Sequence, residues 1–186
     1  RPLASTDASA TVLATDPLRV RLAFAEPALE WDLTVEEVAA EGRVIVTGSL
    51  RNTGTSPVKL GRVHLLDAPG GVELGPAGRK GTSGGSRAGG PAGASGAAPD
   101  IVALSLAGLQ TPRNLYRLDD PQCLRQSKIK TQFYRRDSGS AFQAGFLTFG
   151  RADTVVAHEL AAGRGIGRLE AWCDFAGWEL APGAET

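Results

Sequence analysis

From Leu18 to Phe24 the chain alternates strictly: Leu18, Val20, Leu22 and Phe24 against Arg19, Arg21 and Ala23. Period two is the spacing at which a strand sends its side chains to one face, so this run predicts a half-buried strand with an arginine-bearing outer face. Leu29, Trp31, Leu33 and Val35 alternate in the same way with Glu30, Asp32, Thr34 and Glu36. After a turn at Glu41-Gly42 come Val44, Val46, Gly48 and Leu50, then the turn residues Asn52-Thr53-Gly54-Thr55. Val58, Leu60, Val63 and Leu65 continue the pattern, with Gly61 marking a bulge. Residues 18–66 therefore read as an antiparallel meander of about four strands. Residues 1–9 carry no pattern and are expected to fray.

Residues 69–99 differ in kind. Gly, Ala, Ser and Pro dominate, with no aromatic residue. Such a stretch buries too little apolar surface to offset the ordering of its backbone, and a long disordered loop is expected. Its glycines do not form a phosphate-binding loop, because Lys80-Gly81-Thr82 lacks the upstream glycine of that motif. Structure resumes at residues 101–109, IVALSLAGL, a buried strand or a short helix, between which periodicity does not decide. Ile129, Thr131 and Phe133 then alternate with Lys128, Lys130 and Gln132.

Residues 141–151, AFQAGFLTFGR, hold three of the six Phe. Large apolar groups on both faces predict an interior strand covered on both sides. Residues 153–160 and 168–175 read as two further strands, and Ala176-Gly177 as a turn. The closing Pro182-Gly183 turn would normally feed another strand, so the final pairing strand is expected to be missing. The result is an all-β chain: a large antiparallel two-sheet β-sandwich with a long disordered Gly-rich loop, expected as a single domain over 1–186. The first residue is not Met, and the chain is read as a piece of a longer protein.

Composition excludes more than it assigns. Twenty basic and twenty acidic residues cancel, which removes the positive field that nucleic acid or an anionic membrane surface would need. No apolar run approaches the roughly 18 residues of a spanning helix. Cys123 and Cys173 can form one bridge, but two buried thiols are the favoured reading. His64 and His158 stand without a second His or Cys at ligand spacing, so neither a metal nor another cofactor is expected. No GxSxG elbow accompanies a Ser-His-Asp set, and no catalytic residue is assigned. Asp32 with Glu30 or Glu36 reads as a solvated strand face rather than a carboxylate pair, and Trp31 reads as core. Four residues are candidates for sugar contact or a domain interface. Asp174 and Trp178 would form an edge against a sugar ring, and Trp172, on the polar face of its strand, would pack on a neighbouring domain. Arg151 would ion-pair with Asp153 or with that neighbour.

Residues 46–65 (VTGSLRNTGTSPVKLGRVHL), 142–151 (FQAGFLTFGR), 153–159 and 172–183 (WCDFAGWELAPG) resemble, in order, the strands of the N-terminal β-supersandwich domain of clan-D, family 36-like (α-galactosidase-like) glycoside hydrolases. The likeness covers about half the chain, and residues 69–99 have no counterpart in it. It implies a non-catalytic domain packed on a downstream (β/α)₈ barrel of the same polypeptide, helping to bound a sugar site and joining in homo-oligomer contacts; the barrel would hold the carboxylates. The rival expectation is a free-standing carbohydrate-binding or adhesion-type sandwich.

Overall fold

The computed structural model describes residues 3–74, 100–106, 115–148, 150–161 and 165–186. Among them the fold is all-β and antiparallel, with three four-stranded sheets and no α-helix. The described residues pack as two compact units, one within 1–65 and 175–186 and one within 66–174.

In the first unit, β1 (Ala8–Thr15), β2 (Leu18–Phe24), β3 (Leu29–Val38) and β4 (Arg43–Asn52) form a sheet in chain order. The register aligns Ala10, Leu22, Trp31 and Leu50 in one row, so the alternating residues meet on one face. Leu22, Phe24, Leu29 and Leu50 bury there with Leu60 and Leu180. Gly48 makes room for the Trp31 indole, since a Cβ at this position would lie 2.9 Å from Nε1. On the opposite face Arg21 donates two hydrogen bonds to Asp32, at 2.6 and 2.7 Å.

Both expectations about this unit's ends are corrected. Residues 5–7 form a 3-10 turn, and β1 starts at Ala8, opposite Phe24. Small and hydroxyl side chains hide this strand from any pattern, but its backbone pairs as well as any other. At the other end, the residues after the Pro182-Gly183 turn do find a partner. Asn52 N donates to Ala184 O at 3.0 Å, and Leu50 and Thr186 exchange bonds of 3.2 and 3.0 Å.

The second unit is a sandwich. One sheet has the order β10-β9-β6-β7, from β6 (Ile101–Ser105), β7 (Leu115–Arg117), β9 (Lys130–Arg135) and β10 (Ala141–Gly145). The other has the order β5-β12-β11-β8, from β5 (Val58–Ala68), β8 (Gln126–Ser127), β11 (Asp153–Leu160) and β12 (Ile166–Leu180). The unit boundary falls within β5 and β12. Ile101, Ala103 and Phe133 from one sheet and Val156, Ile166 and Leu169 from the other share one core.

One open reading is decided here and three expectations change. Residues 101–105 are strand, and their continuation through 109 lies outside the described residues. The 141–151 stretch is not an interior strand. It runs as β10 only to Gly145, and β10 is an edge. Phe142, Ala144 and Phe146 do pack on the core, but Leu147 is 75% exposed, and among the described residues no layer covers the other face; Phe149 lies outside the described residues. The loop expected over 69–99 is ordered at its start: Val72 bridges Ile166 and Leu74 is buried in the core. Its remainder, 75–99, lies outside the described residues, as does most of the 163–165 turn. Finally, β12 continues through Ala176 and Gly177, both at positive φ, where a turn is expected.

Candidate functional site

Alternation in β6, β7, β9 and β10 sorts their residues onto two faces. Ile101, Ala103, Thr131, Phe133, Tyr116, Phe142 and Ala144 point inward, toward the core. The register lines up the remainder in two rows on the outer face: Arg117, Val102, Tyr134 and Ala141, then Leu115, Leu104, Gln132 and Gln143. Val102, Leu104, Leu115, Gln132, Tyr134 and Arg136 line an open groove of about 360 Å³. Leu115 is 59% and Tyr134 41% exposed, so the apolar floor is in contact with solvent.

Charge frames this floor. Asp100 Oδ1 accepts from Arg117 Nη1 and from Arg136 Nη2, both at 2.9 Å. Arg117 also donates from Nε to Asp119 Oδ1 at 3.1 Å, and that bond, then the Asp119 and Asp100 charges, raises its pKa further. The Asp100 carboxylate thereby links the two guanidinium groups, and Asp119 holds Arg117 from a second side. On the β10 side, Lys130 Nζ reaches Gln143 Oε1 at 3.5 Å. The groove thus offers one aromatic ring, aliphatic neighbours and planar amide and guanidinium donors. Among the described residues that line it there are no paired carboxylates and no nucleophile with a base. Among the described residues no group of three or more His, Cys, Asp and Glu is arranged to hold a metal ion.

The four residues singled out from sequence do not assemble into this site. Trp172, expected on an exposed polar face, is only 5% exposed. Leu169 and Ala171 face the core, and a bulge between Glu159 and Leu160 of β11 brings Ile166 of β12 to the same side; Trp172 lies on the other, with Arg168 and Glu170, and is itself buried. Asp174 is half-buried, directly across from Asp153. Arg151 is exposed in the turn before β11, and Asp153, its expected partner, is paired with Lys128 at 3.0 Å. Trp178 is 42% exposed, stacks on Phe175 at 6.2 Å and belongs to the first unit. Both cysteines are free thiols.

Comparison of the chain with protein families, with curated proteins and with solved structures returns no match. The groove was missed in the sequence because no motif marks it. Its one signal is Tyr134, an aromatic residue in phase with Lys130 and Gln132 on the solvent side of a strand.

Proposed function

We propose that this chain is a non-catalytic β-sandwich that binds carbohydrate on the outer face of the β10-β9-β6-β7 sheet. The observation that carries the reading is the exposed Tyr134 ring in a shallow apolar groove flanked by Gln132, Arg136 and Arg117. A pyranose has an apolar C–H face and a rim of hydroxyls. An aromatic ring receives the first, and planar side chains linked by a shared carboxylate receive the second. A glycan array followed by calorimetric titration tests it. Binding should be found for at least one saccharide and lost in Tyr134→Ala with the melting temperature unchanged. No binding to any glycan, or binding unaffected in Tyr134→Ala, overturns it.

The resemblance to α-galactosidase-like hydrolases supports a second reading, an accessory domain packed on a (β/α)₈ barrel. The exposed apolar side chains Leu147 and Trp178 are suited to such a contact. Against it stands the end of β10 at Gly145, within the stretch that carries much of the likeness. Coding sequence beyond Thr186 decides this reading: a (β/α)₈ pattern supports it, and further sandwich repeats exclude it.

A further inference from the structure

We propose that β1 is a self-association edge, to which a second copy of this chain adds its own β1 in antiparallel pairing. This surface lies in the first unit and is independent of the saccharide reading. β1 ends the β1-β2-β3-β4 sheet, so one side of its backbone faces away from β2. A strand edge presents unpaired N–H and C=O groups that accept another strand unless something blunts it.

The other edges are blunted. β4 carries Arg43 and Arg51, and Gly183 to Thr186 bond to its last residues. β7 and β8 have three and two residues. β10 has five. β5 carries Lys59, Arg62, His64 and Asp67. Among the described strand edges β1 alone is long and undefended: eight residues, ASATVLAT, with no charge, proline or glycine. Val12 is 61% and Leu13 45% exposed.

The partner is a second copy because the strand suits itself. Two-fold pairing sets the same residues against one another, and a charge-free strand does so without like-charge repulsion. The whole chain has a formal net charge of zero, which leaves no long-range repulsion between copies. Ala8, Ala10 and Val12 share the core face, and a two-fold pairing must set like face beside like face. Centring on Ala10 meets this condition, with Ala8 opposite Val12 and Ser9 opposite Thr11. The register shift between Val12 and Ala14 ends the regular run there.

Sedimentation equilibrium of the whole chain, over a wide range of concentration, is the test. The chain should pass from monomer to dimer. Ser9→Lys/Thr11→Lys, at two exposed positions, should remain monomeric with an unchanged circular dichroism spectrum. Independently of any variant, hydrogen exchange at the amides of residues 8–12 should slow as the wild-type concentration rises. A wild-type monomer throughout, a variant that dimerises equally, or exchange that ignores concentration overturns the proposal.

Discussion

The Arg125 guanidinium lies 3.4 Å from Nε2 of His158, a side chain only 3% exposed and set edge-on against Phe133. Guanidinium only donates, so Nε2 must be the acceptor and the neutral ring carries its proton on Nδ1. That Nδ1 is buried without a hydrogen-bond partner. Burial first, and then the Arg125 charge, push the His158 pKa down to about 4.

This arrangement gives acid sensitivity with a definite sign. The folded pKa lies below the ordinary 6.5, so the unfolded chain binds the proton better between the two values. Stability is complete above pH 6.5 and falls as the pH drops toward 4, by about 3 kcal/mol from this one group. His158→Phe should flatten this part of the stability-against-pH curve. Urea unfolding at a series of pH values measures it, and equal slopes in both proteins would refute the assignment.

Asn52 should be worth more than its size suggests. It is fully buried, and its Nδ2 donates to Ser56 O and Leu180 O while its Oδ1 accepts from Gly54 N, all at 2.9 Å. Asn52→Ala leaves these groups without their partner, and a loss of about 3 kcal/mol is expected in chemical denaturation. A loss below about 1 kcal/mol would mean that water replaces the amide.

Gly71 and Gly61 make a contrasting pair. Gly71 sits at φ +73°, and a Cβ there would fall 1.8 Å from Ile166 O, whereas nothing lies within 4 Å of one at Gly61. Gly71→Ala should displace the Val72–Ile166 bridge and lower the melting temperature by many degrees, while Gly61→Ala should change it little. Differential scanning calorimetry of both variants checks the contrast.

The thiols should be slow to react. Burial raises the pKa of both Cys123 and Cys173, so little thiolate is present near neutral pH. In a disulfide-exchange assay both should react slowly in the native chain and fast in denaturant. Rapid labelling of the native chain would show that the strands bearing them open.

Much of the fold is legible in the residues, because period two names strands wherever one face is oily and the other polar. β2 and β11 coincide with their predicted spans, and β3 and β4 differ only at their ends. β1 escaped because Ala, Ser and Thr suit either face. β7 is too short to show a period. The candidate site escaped for a different reason: its residues come from three separate strands, and none carries a motif.

Alternation along the chain is thus sufficient to place the all-β class, most strands and the inward-facing residues, since each is a property of a few consecutive side chains. It does not say which strand lies beside which. That β10 is an edge, that residues 183–186 return to β4, and that Tyr134 stands in a row with Val102 and Arg117 depend on backbone hydrogen bonds between distant segments. Those bonds use the same N–H and C=O groups at every residue. The choice among partners is therefore made by the joint packing of faces in the folded protein.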